Sequence, residues 1–287
     1  MADYEYTHVS DDEKLNIANH LLLSAPPGEI RDVAKDVTKL LPAGLLSDAK
    51  LRSAMHAYNT KNCVGVMAPE GTHRVIICKE GEVDPTHYLD TKTKKVWGFD
   101  HVTQELQAQD ARDAADLFVL PAEPFRLAVH QALDDYAFTQ FANQGAVAVY
   151  ATSPQELAIV LSTERVNLRN YWSGRWKSQW TLNLETRVLT GAIDLHVHYY
   201  EDGNLQLQSH KSTEKTLTFH DASTVGAAVV QVIRDEEHVI HSNLEDMYIN
   251  MSEETFKEMR RVMPVTQTKM EWSIHAHRTA KDLGQQK

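Results

Sequence analysis

YWSGRWKSQWTLNLETRVLTGAIDLHVHYYEDGNLQLQSHK, residues 171 to 211, is the stretch that decides the fold. In its first run Trp172, Trp176, Trp180, Leu182 and Leu184 share one parity, while Ser173, Arg175, Lys177, Gln179, Thr181 and Asn183 share the other. Side chains alternate between the two faces of a strand, so this run reads as a strand with one apolar side. The next run repeats the rule, with Leu189, Ile193, Leu195, Val197 and Tyr199 opposite Asp194, His196 and His198. After Glu201-Asp202-Gly203-Asn204, a hairpin-type turn whose residues tolerate positive φ, a third run carries Leu205 and Leu207. Three such strands joined by short turns predict an antiparallel meander with one dry face and one polar face, and the dry face needs a cover.

Upstream, a helix is expected from Pro124 through Phe125, Leu127, Ala128, Ala132, Leu133, Tyr136 and Phe141, ending near Asn143-Gln144-Gly145. Two strands follow it, Ala146 to Ala151 and Leu157 to Thr163, and complete a five-stranded antiparallel sheet. Downstream, Asp221-Ala222-Ser223 offers caps for the longest helix of the chain. Its apolar stripe runs through Val225, Val229, Val232, Ile233, Val239, Ile240, Leu244, Met247, Met251, Met259 and Val262 with no Gly or Pro between Gly226 and Pro264. Such a helix is roughly 57 Å long, against ~24 Å for the width of five strands. The overhang predicts a second sheet beneath it, supplied by a partner subunit.

Residues 10 to 58 read as three short helices. Ser10 and Glu13 form a capping box before Leu15, Ile17, Ala18, Leu21 and Leu22, and Ala25-Pro26-Pro27-Gly28 breaks the first helix. A second runs through Ile30, Val33, Val37, Leu40 and Leu41 to Pro42, and Ser47 opens a third through Leu51, Met55 and Tyr58. They are expected to pack as a small antiparallel bundle. From 59 to 115, short β-like pieces at Arg74–Cys78, Thr86–Asp90 and Lys95–Phe99 sit between Gly, Pro, Asn and Asp, suggesting a small β-hairpin module. Gln104 to Ala115 is polar and patternless and reads as a linker or irregular surface segment. The fold class is therefore α+β, organised as a helical bundle (1–58), a β module (59–115), a helix plus five-stranded sheet (116–220), a long helix (221–263) and a C-terminal tail (264–287).

Composition narrows the class. Hydrophobic residues at 42% and charged residues at 24% describe an ordinary globular protein, and no run of 18 apolar residues or apolar leader is present, so a cytoplasmic protein is expected. Cys63 and Cys78 are too few for a disulfide framework or a four-cysteine zinc site and are expected as reduced, buried thiols. Net charge is −11. It is unevenly placed: Lys257 to Lys287 holds seven Lys and Arg against three Asp and Glu, and the rest holds 22 against 37. A basic end on an acidic body points to an acidic partner surface and away from nucleic acid.

Several words in this sequence carry a resemblance. NYWSGRW (170–176), HVHYYEDGNLQL (196–207) and SHK (209–211), with VSDDEK near the start, APPGE at 25–29 and RRVMPVTQTKMEW at 260–272, resemble the α subunit family of F-actin capping protein over nearly the whole chain. The resemblance implies an obligate heterodimer with a β subunit, their sheets joined into one and the long helices crossing it, each chain ending in a mobile tail. It implies binding to the barbed, fast-growing end of actin filaments in a calcium-independent way, blocking subunit addition and loss within the actin cytoskeleton. It also implies regulation by phosphoinositides, myotrophin and CARMIL-type motif proteins, and membership of dynactin. No cofactor is implied. The alternative function is an assembly subunit of a dynactin-like complex that touches no filament.

Lys257, Arg260 and Arg261 stand at i, i+3 and i+4, one cationic face at a helix end, a pattern that a favourable helix-dipole interaction alone would also explain. The resemblance places the filament contact there and on the tail, through Lys269, Trp272, Ile274, Arg278, Lys281 and Leu283. Cations at this position would steer association with acidic actin and attract an anionic lipid headgroup surface. The family pattern is departed from at Gln267, where vertebrate members usually carry arginine, and His275, His277 and Gly284 dilute the tail's apolar stripe. His196 and His198 with Asp194 offer a zinc-like trio on one strand face, but without a fourth ligand the plainer reading is a polar strand face. Arg175 and Lys177, opposite the tryptophans, are expected to line a partner groove. No nucleophile elbow, P-loop or dinucleotide fingerprint occurs, and the chain reads as a non-enzyme.

Overall fold

The computed structural model describes residues 9–250 apart from 119, 143, 202 and 203. Three helices come first, α1 (Asp11–Leu23), α2 (Ile30–Leu40) and α3 (Asp48–Lys61). The Ser10 hydroxyl accepts from the Glu13 N–H at 3.2 Å while the Glu13 carboxylate accepts from the Ser10 N–H at 2.9 Å, so the first turn of α1 satisfies its own orphan donors. Ser47 caps α3 through the Lys50 N–H. Leu22, Ile30, Ala34, Met55 and Tyr58 fill the bundle core.

The β module is richer than its sequence suggests. β1 (Val64–Met67) and β2 (Arg74–Ile77) form a hairpin, and β3 (Glu82–Asp84), β4 (His87–Asp90), β5 (Lys95–Asp100) and β6 (Glu105–Asp113) form an antiparallel sheet in that order. The expected linker at Gln104 to Ala115 is therefore mostly strand, pairing from Asp100↔Glu105 to Lys95↔Asp113 with one shift in register. Most side chains of β6 are exposed, so no apolar alternation marks it, and backbone pairing at the sheet's outer edge holds it in place.

α4 (Glu123–Gln140) leads into the main sheet of β7 (Ala146–Ser153), β8 (Glu156–Asn167), β9 (Trp172–Asn183), β10 (Val188–Tyr199) and β11 (Leu205–Thr216), a five-stranded antiparallel meander in chain order. The dry face is the expected one: Leu157, Ile159, Leu161, Trp176, Trp180, Leu182, Leu189 and Ile193 are buried. α4 lies against β7 on this side, its Arg126 guanidinium donating to the Val149 carbonyl. α5 (Ala222–Asn250) is capped by Asp221, whose carboxylate accepts from the N–H groups of Ser223 and Thr224. The chain divides into two compact units between Val232 and Ile233. In the first, Val225 and Val229 are buried and Gly226 packs against Ala128 and Ala132 of α4. In the second, Ile233 and Ile240 are buried. No described helix is long and apolar enough to cross a membrane.

The opposite face of the sheet is not the solvated polar face its sequence suggests. At the β7–β8 side, Ala146, Ala148, Tyr150, Ala158 and Val160 pack with Cys63, Ile76 and Cys78 of the β module. At the β9–β10 side, Ser173, Arg175 and His198 are buried. Their partners are in the helical bundle, so polar residues point inward because charged and hydroxyl groups await them there.

Candidate functional site

All nine residues expected to contact actin, from Lys257 to Leu283, lie outside the described residues. Within the described chain the structure offers a binding surface built from the end of the main sheet. β11 pairs with β10 over its full twelve residues, from Tyr199↔Leu205 to Val188↔Thr216. Among the described residues no strand pairs with its other edge. A row of backbone N–H and C=O groups about 40 Å long is thus left facing outward.

The dry face is also unfinished near this edge. Tyr199 is 38% exposed and Leu205 51% exposed, with Leu195, Val197 and Leu207 only half-buried. Register places these five together, because Leu205 faces Tyr199 and Leu207 faces Val197 across the ladder. An open edge and an uncovered apolar corner at the same end of one sheet are what a continuing sheet would cover.

On the opposite face a polar network fixes the sheet to the bundle. The Arg175 Nη2 donates to the Tyr58 hydroxyl at 3.1 Å and to both carboxylate oxygens of Glu164 at 3.3 Å, with the guanidinium over the Tyr58 ring. Tyr58 in turn donates to the Pro26 carbonyl at 3.2 Å, and burial pushes its phenol pKa upward. Glu29 accepts from the Ser173 hydroxyl at 3.2 Å and from Nδ1 of His198 at 2.7 Å. The loop between α1 and α2 is thereby pinned to β9 and β10.

His198 Nε2 meets the side-chain oxygen of Asn204 at 3.2 Å, so both ring nitrogens are engaged by the protein. His196 reaches Gln206 at 3.3 Å, and Asp194 binds Lys177 at 3.0 Å and His210 at 2.6 Å. Three neighbouring residues of one strand thus turn to separate sets of partners. Among the described residues no three His, Cys, Asp or Glu side chains converge as metal ligands would.

Arg175 and Lys177 do line a cleft, of about 570 Å³, together with His20, Lys61, Asp194 and His210. Arg175 is nevertheless 5% exposed and committed to Tyr58 and Glu164, which corrects its expected role as a partner-facing cation. The sequence reading missed Glu164, Glu29 and Tyr58 as a set. A register argument would have found one pair, since Glu164 stands directly across from Arg175.

Comparison with known proteins agrees with this architecture. The family model of the F-actin capping protein alpha subunit matches residues 18–282. An F-actin-capping protein subunit alpha from Dictyostelium discoideum is 33% identical over 270 residues, covering 92% of this chain and 94% of its own. The Caenorhabditis elegans subunit alpha is 31% identical over 278 residues, covering 93% and 95%. Among solved structures, a homodimeric actin capping protein alpha subunit from Plasmodium berghei superposes with a TM-score of 0.74 at 25% identity, over 89% of this chain and 98% of that one. A five-stranded sheet with no strand beyond β11 among the described residues, a bundle pinned beneath it, a family model matching residues 18–282 and relatives aligned over more than nine-tenths of the chain converge: this protein belongs to the F-actin capping protein alpha subunit family.

Proposed function

We propose that the chain is the α half of an obligate heterodimer that binds the barbed end of actin filaments, independently of calcium, and blocks subunit addition and loss there. The observation that carries this reading is 33% identity to a capping protein α subunit over an alignment covering 92% of the chain. The outer edge of β11, with no pairing strand among the described residues, and the apolar corner at Tyr199 and Leu205 support a β subunit whose sheet continues this one.

The mechanism is steric and electrostatic, with no catalysis. Lys257, Arg260 and Arg261 dock on acidic terminal protomers, and Lys269, Trp272, Ile274, Arg278, Lys281 and Leu283 add contacts that slow dissociation. The same cations attract phosphoinositide headgroups. Myotrophin, CARMIL-type motif proteins and dynactin complete the partner set, and the complex works in the cytoplasmic actin cytoskeleton. The test is elongation from preformed filament seeds with this chain co-expressed beside a β subunit. Substoichiometric dimer should stop barbed-end growth and leave pointed-end growth untouched, and replacing Lys257, Arg260 and Arg261 by Ala should abolish the block with the dimer intact. Unimpeded growth with a well-folded wild-type dimer would leave only the assembly role.

A further inference from the structure

The last pair of the β1–β2 ladder is Val64↔Ile77, and Cys63 and Cys78 are the next residues of the chain on either side of it. They are the only two cysteines of the chain. Both are free thiols, both are 0% exposed, and both belong to one core cluster with Ile76, Ala148 and Tyr150.

Two further observations single out this corner. Cys63 adopts a left-handed backbone, φ 48°, a strained conformation for a residue with a Cβ. Beside the pair, the Glu80 carboxylate keeps one buried oxygen, Oε2, without a hydrogen-bond partner. Its charge acts on both thiols and on the Tyr150 phenol. The thiol hydrogens now rest on weak acceptors, Cys63 on the Thr60 carbonyl at 3.7 Å and Cys78 on the Tyr150 hydroxyl at 3.5 Å.

We propose that Cys63 and Cys78 form a modification site, a dithiol that hydrogen peroxide converts into an intramolecular disulfide closing the β1–β2 hairpin. In the opened hairpin the Cys63 thiol gives its proton to water, the thiolate sulfur attacks a peroxide oxygen, and the O–O bond breaks, the departing hydroxide taking up a proton, to give a sulfenic acid and water. The Cys78 sulfur then attacks the sulfenyl sulfur, the S–S bond forms, the S–O bond breaks, and a second water leaves. Two thiols are oxidised and one peroxide is reduced; exchange with a small thiol reverses the change.

Burial pushes the Cys63 thiol up to about 12 and raises the Cys78 thiol as well; Lys177 and Arg175 pull back toward the Cys63 thiolate, which makes Cys63 the attacking thiol. Reaction therefore passes through opening of the short two-stranded hairpin and is slow in the closed protein.

The heterodimer with a β subunit is exposed to hydrogen peroxide, unfolded in the presence of an alkylating reagent, and this chain is mapped by mass spectrometry. The expected product lacks two hydrogens, carries no alkyl group, and yields a linked peptide pair joining Cys63 to Cys78; dithiothreitol restores two alkylatable thiols. Cys63→Ser and Cys78→Ser should each abolish the link. Complete alkylation of both thiols after peroxide, or sulfinic acid on one with no linked pair, overturns the site. The wild-type map decides alone if a serine variant fails to fold.

Discussion

Replacing Arg175 by methionine keeps most of the side chain's volume and removes its guanidinium. Tyr58 then loses its donor at 3.1 Å, and the Glu164 carboxylate loses a donor at 3.3 Å. Removing one partner of a fully buried ion pair costs about 3–5 kcal/mol. Glu164 is 22% exposed, so water re-solvates part of the carboxylate, and the cost should fall to about 2–4 kcal/mol. The Arg175 Nε is buried without a partner, so the native pair does not recover all of the arginine's desolvation. It follows that Arg175→Met with Glu164→Met should be less destabilised than Arg175→Met alone, because no charge is then left beneath the bundle. Urea unfolding of the heterodimer at one fixed protein concentration measures both. A single variant within 0.5 kcal/mol of wild type (roughly the scatter expected of a surface substitution), or a double variant worse than the single, would refute the network as the tie between bundle and sheet.

Three other outcomes can be checked on the same complex. Burial pushes the His130 imidazole down to about 4, against the pull of Asp134, and neither ring nitrogen has a hydrogen-bond partner. The unfolded chain binds this proton below about pH 6.5, so stability should fall as pH falls from 6.5 toward 4, by up to about 3 kcal/mol; His130→Phe should flatten that slope in melts across the range. Gly226→Ala sets a Cβ 2.7 Å from the Ala128 carbonyl oxygen and 2.9 Å from the Ala132 Cβ; parting α4 from α5 should cost about 1–3 kcal/mol in urea, and an unchanged midpoint would mean the crossing is loose. Expressed without a β subunit, the chain should self-associate through β11 and the Tyr199–Leu205 corner, and a monodisperse monomer on size exclusion would contradict that reading.

The period-two pattern located the main sheet because each strand there buries one face, so Trp176, Trp180, Leu182 and Ile193 share a parity that register preserves. The capping box at Ser10 and the cap at Asp221 were legible for a local reason: each is closed by residues within three positions. β6 was not legible, since an exposed edge strand needs no apolar residue to pair. Nor was the role of Arg175. Alternation says which side chains share a face and is silent on what covers that face, and the cover here comes from Tyr58, 117 positions away.

Both faces of the sheet bear on the need for a partner. The dry face meets α4 at its β7 end, and the opposite face meets the β module and the helical bundle through Arg175, Glu29 and Lys177. At β11, among the described residues, no strand pairs with the outer backbone groups, which makes the lone chain prone to association. Its side chains run from apolar Leu205 and Leu207 to polar residues further along the strand. A pairing strand would need apolar residues at the first end and polar ones at the second, a demand that fixes direction and register together. This edge is therefore selective as well as adhesive, and that selectivity favours a dedicated subunit over indiscriminate strand addition.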